Sequence, residues 1–135
     1  MIVNQMLICK KLNIIEDFSE MTFGGSHYDF HNNYVCKKIC IDDDTEILTL
    51  SFHAEQKIIN LIFLEAVVVK TNFTILDFTN ELTLDTLYRG RFEETGRLQD
   101  LSKTGCSYFY AEFYDGEALE FFAKYLILQD ILGSP

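Results

Sequence analysis

The sequence predicts a single, mostly β domain over residues 1–135. It reads as an antiparallel meander forming a small barrel or a β-sandwich, with at most one or two short helices. Three observations carry this reading. Apolar and polar residues alternate over Leu48–Ala54 and over Leu82–Phe92, which is the period of a half-buried strand. The run from Ile58 to Lys70 is rich in β-branched residues and apolar at both parities, as a strand covered on both faces would be. Near the end of the chain, aromatic residues fall at strand spacing on both sides of Asp115-Gly116, a dipeptide suited to a type I′ hairpin turn.

Taken in order, the first thirty residues fit neither period. Ile2, Val3, Met6, Leu7, Ile14 and Ile15 suit one edge strand or one short helix, with Gly24-Gly25 as a break before the core. Tyr34–Ile41 reads as a strand joined to Leu48–Ala54 by the turn Asp42-Asp43-Asp44-Thr45, since Asp side chains cap turn amides. Ile58–Lys70 is a central strand, and Phe73–Phe78 continues it after a bend near Asn72. In the next strand Leu82, Leu84, Thr86, Tyr88, Gly90 and Phe92 share one face, while Thr83, Asp85, Arg89 and Arg91 take the other. Glu93–Gly105 is polar and is either a long hairpin connection or a short helical excursion. The aromatic hairpin follows. A two-residue turn sets Tyr110 opposite Phe121 and Phe109 opposite Phe122.

Composition narrows the function classes. The chain has 135 residues, of which 48% are hydrophobic, with twelve Phe, seven Tyr and no Trp. That is enough to bury a core without disulfides or metal. A formal charge of −10 excludes a general nucleic-acid binder, which needs clustered Lys and Arg, and it disfavours docking on anionic lipid. It suits a soluble protein, and it favours basic partners. No basic stretch precedes the apolar residues at the N-terminus, so no signal peptide is read. The longest apolar run is too short to span a bilayer. The expected home is cytoplasmic, with Cys9, Cys36, Cys40 and Cys106 as thiols.

Several clusters invite chemistry, and each has a plainer account. His27, Asp29 and His31 offer two imidazoles and a carboxylate, but on an extended strand the outer pair lie about 13 Å apart, so no metal or cofactor is expected. Cys36 and Cys40 lack zinc-knuckle spacing. Asp42, Asp44 and Glu46 resemble the start of a calcium loop, yet Ile47 stands where a glycine is needed. Arg89 and Arg91 on one outer face, with Arg97 beyond, form an anion clamp or pair with neighbouring acids. No phosphate-binding loop or nucleophile elbow is present, and no catalytic residue is assigned.

The segment Tyr108-Phe109-Tyr110-Ala111-Glu112-Phe113-Tyr114-Asp115-Gly116-Glu117-Ala118-Leu119-Glu120-Phe121 resembles the terminal hairpin of small acidic bacterial proteins, several of them immunity proteins that neutralise toxins. The resemblance covers about a fifth of the chain. It implies an immunity-type role, and the charge of −10 without a catalytic motif points the same way, to a non-enzymatic protein that binds another protein, a basic toxin or a regulator. The expected contacts are Asp42, Asp43, Asp44, Glu93, Glu94, Asp115 and Glu117. Self-association as a homo-oligomer is compatible with the same features. The alternative is a barrel that carries a small apolar ligand, lined by Tyr88, Phe92, Tyr108, Tyr110 and Phe121. In that case the competing account is that these rings simply fill the core.

Overall fold

Two five-stranded antiparallel sheets face each other. The computed structural model describes residues 2–9, 16–23, 25–75, 81–90, 92–94, 96–99 and 106–132. The strands are β1 (Ile2–Ile8), β2 (Glu16–Asp17), β3 (Glu20–Phe23), β4 (Ser26–Asp29), β5 (Val35–Asp42), β6 (Ile47–Ala54) and β7 (Lys57–Leu64). They continue with β8 (Val67–Thr71), β9 (Leu84–Gly90), β10 (Phe92–Glu94), β11 (Arg97–Gln99), β12 (Ser107–Phe113), β13 (Ala118–Ala123) and β14 (Tyr125–Leu132). Sheet A has the order β1-β14-β7-β6-β5 and sheet B the order β2-β9-β12-β13-β8, with β3–β4 and β10–β11 as separate hairpins. The result is an all-β sandwich rather than a closed barrel, and no α-helix occurs among the described residues.

Aromatic rings tie the two layers together. Phe63 of sheet A lies edge-on to Phe109 and Phe121 of sheet B, with ring centroids 5.1 and 4.7 Å away. All three are fully buried, and burying a ring of that size contributes roughly 1.5–3 kcal/mol. Leu48, Leu50 and Phe52 line the inner face of β6 as their alternation predicts. The β5–β6 turn is capped as expected: Asp42 Oδ1 accepts the amides of Asp44 and Thr45 at 3.0 and 3.3 Å.

Four expectations are corrected. The described residues among the first thirty hold four strands, not one, with β1 paired to β14 along its whole length. Gly25, at φ +84°, serves the β3–β4 hairpin turn and is not a break before the core, because Phe18 and Met21 ahead of it are already buried; Gly24 lies outside the described residues. Ile58–Lys70 is not one strand. Glu65 adopts φ +50°, which turns the chain through a corner and sends β7 into sheet A and β8 to the edge of sheet B. Three segments meet at that corner, where the Lys124 amide bonds to Leu64 O (3.1 Å) and the Cys9 amide to Lys124 O (2.9 Å). The proposed continuation Phe73–Phe78 shows a bend at Asn72–Phe73, and residues 76–80 lie outside the described residues.

The third correction concerns β9. Phe113 pairs with Leu84 but Glu112 pairs with Thr86, so a bulge at Asp85 inserts one residue. The parity therefore switches. Leu82 and Leu84 are buried before the bulge, whereas Leu87 and Arg89 are buried after it and Tyr88 faces outward.

The fourth is the register of the aromatic hairpin. Phe109 pairs with Phe121, Tyr110 with Glu120 and Tyr108 with Phe122, one residue from the expected register. The Gly116 amide bonds to Phe113 O and the Phe113 amide to Glu117 O, closing a three-residue loop over Tyr114-Asp115-Gly116. Only Gly116 in this loop has positive φ, at +99°, so the turn is not type I′. The shift puts Phe121 on the same face as Phe109, inside. The register that buries two Phe rings wins over the shorter loop. The polar stretch Glu93–Gly105 contains the β10–β11 hairpin, turned at Gly96 (φ +79°), with residues 100–105 outside the described part.

Candidate functional site

Sheet B turns a group of aromatic side chains outward. Strand alternation places Tyr108, Tyr110 and Glu112 of β12 on the face away from the core, beside Tyr88 of β9 and Glu120 and Phe122 of β13. The rings of Tyr88 and Tyr110 lie 5.5 Å apart, and those of Tyr108 and Phe122 lie 5.9 Å apart in an edge contact. Gly90 makes room for this layer: a Cβ there would come within 2.7 Å of the Tyr88 ring and 3.7 Å of the Tyr108 ring. Asp17 stands opposite Tyr88 and is exposed, while Val67, opposite Phe122, is 46% exposed.

The electrostatics of this face are those of protonated phenols among carboxylates. The Tyr108 hydroxyl donates to Glu120 Oε1. Burial, then that hydrogen bond, raises the Tyr108 pKa. Burial, then the Glu112 charge, raises that of Tyr110. Both hydroxyls therefore stay donors at neutral pH and are poor bases. Lys70, opposite Glu120, is the nearest cation in the ladder.

Of the five residues proposed to line an internal ligand site, the four whose side chains are described do not converge. Tyr88, Tyr108 and Tyr110 gather on the outer face, Phe121 is in the core against Phe63 and Phe109, and the Phe92 side chain lies outside the described part. The proposed acidic contacts are dispersed as well. Asp42, Asp43 and Asp44 are exposed at the β5–β6 tip, beside an open hollow of ≈ 620 Å³ lined also by Cys40, Ile47 and Thr49. That tip joins the start of β8 through Ala66 N to Glu46 O (2.7 Å). Asp115 and Glu117 sit beyond the other end of β8, where Asn72 Nδ2 reaches Gly116 O (2.9 Å). Six extended residues separate the two turns, about 20 Å. The side chains of Glu93 and Glu94 lie outside the described part.

His27, Asp29 and His31 are each engaged separately. His27 Nε2 meets Glu20 at 2.8 Å, Asp29 accepts the Asn32 amide and side chain, and His31 Nδ1 donates to Leu84 O at 2.7 Å. Those Asn32 bonds lower the Asp29 pKa. No cluster of three metal-ligating side chains occurs among the described residues. Cys36 is buried, with its thiol pushed up to about 12 by desolvation, and Cys40 is exposed on the opposite face. Asp42 caps its own turn instead of starting a calcium loop. Arg89, expected outside as half of an anion clamp, is 1% exposed because the Asp85 bulge turns it inward, where Nη1 donates to Gly90 O at 3.3 Å. Arg91 lies outside the described residues, as does the Arg97 side chain.

One pair escaped the sequence reading. Ser51 Oγ lies 3.2 Å from His53 Nε2 on the outer face of β6, beside an open hollow of ≈ 370 Å³. Alternation puts both residues on one face, and only the fold shows that the side chains meet. Strand β6 is paired on both sides, so its amides are committed to the ladders with β5 and β7 and none is aimed at the hydroxyl.

The fold and this geometry define an all-β antiparallel sandwich with an outward aromatic and acidic face. No family model, curated protein or solved structure matches the chain. No helix among the described residues is long and apolar enough to cross a membrane.

Proposed function

We propose that this chain is a non-enzymatic, immunity-like protein that binds another protein carrying basic groups. The observation that carries this is the outer face of sheet B, where Tyr88, Tyr108, Tyr110 and Phe122 lie among Glu112, Glu120 and Asp17. Tyrosine is favoured at protein interfaces because it offers a large, rigid apolar body and a polar tip at small entropic cost. Carboxylates interleaved with such rings pair with Arg or Lys of a partner, and aromatic faces accept their cations. The net charge of −10 accelerates encounter with a basic surface and rejects acidic ones. The turn Asp42-Asp43-Asp44 adds to that field from the end of the sandwich where Val67 pairs with Phe122.

Affinity capture from the native host at low and moderate salt tests the proposal, with wild type and a Tyr110→Ala/Glu112→Lys variant in parallel. A basic protein held by wild type, released by salt and lost in the variant supports it. Equal retention by both chains overturns it.

A further inference from the structure

The opposite outer surface, that of sheet A, has a different character. On four adjacent strands its outward positions carry Met6 and Ile8, then Tyr125, Ile127, Gln129 and Ile131, then Ile58, Asn60, Ile62 and Leu64, then Ile47, Thr49, Ser51 and His53. None is Asp, Glu, Lys or Arg, although such residues make up 24% of the chain. The first charges, Lys38 opposite Ser51 and Asp42 opposite Ile47, appear on the edge strand β5. Met6 is 59% exposed, and the others are only partly covered, apart from Ser51 at 8% exposure. Four of its six polar side chains are matched to each other, while the Thr49 and Tyr125 hydroxyls are small groups that a facing copy can meet. Asn60 Nδ2 donates to Gln129 Oε1 at 2.8 Å, and Ser51 meets His53 at 3.2 Å. Burying them would leave little unpaired, which removes the main cost of covering a polar group.

We propose that this face docks a second copy of the chain, forming a symmetric dimer whose two sheets A pack face to face. Three arguments select that occupant. Four strands about 4.8 Å apart and about eight residues long present roughly 500 Å² of flat area per copy, which for two copies comes close to the total of about 1,000 Å² that a specific protein interface should clear. Aliphatic sheet faces interdigitate well with one another about 10 Å apart, and a two-fold axis brings the same uncharged patch to both sides. A basic partner gains little on these four strands, which carry no carboxylate and meet Asp42 only at the β5 edge, whereas two copies otherwise repelled by −10 each can approach where the four strands are uncharged. The apolar pattern of β7 at both parities then has its reason: one face meets sheet B and the other meets its own copy.

Sedimentation equilibrium of the full chain tests this. Wild type should sediment at twice its 15.7 kDa mass. Ile62→Lys, at the centre of the face, should sediment as a monomer with unchanged circular dichroism. Where Ile62→Lys does not fold, Thr49→Lys on the neighbouring strand makes the same comparison. Glu112→Lys, on sheet B, should remain a dimer. A wild type that is monomeric at its highest soluble concentration overturns the proposal. So does a dimer that survives Ile62→Lys and Thr49→Lys, or one that is lost in Glu112→Lys.

Discussion

The rings of Phe109 and Phe121 stack across the β12–β13 pair, with centroids 5.3 Å apart and planes 13° from parallel. Both are fully buried, and both touch Phe63 of the facing sheet. Phe121→Ala should therefore cost about 3–5 kcal/mol in urea unfolding, as large buried truncations do. A double-mutant cycle should find coupling between positions 109 and 121 and much less between 110 and 121, whose side chains lie on opposite faces. Coupling in the reverse order would mean that the register is the shorter-loop one.

Gly116 closes the hairpin at φ +99°, and a Cβ there meets nothing within 4 Å. The cost of a substitution is thus conformational rather than steric. Gly116→Val should destabilise by about 1 kcal/mol or more, and Gly116→Asn by less, because Asn tolerates positive φ. Equal midpoints for the two variants would contradict this.

The acidic turn divides its work unevenly. Asp42 holds two amides, while none of the hydrogen bonds described is accepted by the Asp43 or Asp44 side chains. Asp42→Ala should lose about 0.5–1.5 kcal/mol per bond removed, and Asp43→Ala should be nearly neutral. Thermal melts of the two variants check the difference. Reversing Asp43 and Asp44 to Lys should slow association with a basic partner at low salt, an effect screened over about 10 Å at 0.1 M.

Stability should fall with acid in a window set by His53. Burial, then the Lys37 charge, lowers its pKa below the usual 6.5, with Glu81 opposing. The unfolded chain then binds this proton more readily than the folded one, so stability is whole above about pH 6.5 and declines below it. Asp29, whose pKa is lowered, adds a further loss only below its usual 3.8. His53→Gln should flatten urea midpoints measured between about pH 7 and 5. An unchanged slope would place the acid sensitivity elsewhere.

Much of the architecture was legible because it is local. The alternation at Leu48–Ala54 and the carboxylates of Asp42–Asp44 specify a strand and its turn within a dozen residues. What was hidden depends on distant partners. Asp115-Gly116 suits a two-residue or a three-residue loop, and only the pull of Phe109 and Phe121 toward Phe63 decides between them. The Asp85 bulge has no signature in its own segment, yet it sends Arg89 inside and Tyr88 outside. The corner at Glu65 was visible only as one charge in an apolar run. Tyr88, Tyr108 and Tyr110 were expected to line an internal site, and the outer face they share instead follows from the bulge and the register.

The proposed protein-binding surface is the tyrosine and carboxylate face of sheet B. Hydroxyl-radical footprinting of the chain alone and with its captured partner tests this side chain by side chain. The account predicts reduced oxidation at Tyr88, Tyr110 and Phe122, with Met6 on the opposite face unaffected by that partner. Undiminished oxidation of Tyr88 and Tyr110 in a saturated complex would contradict it.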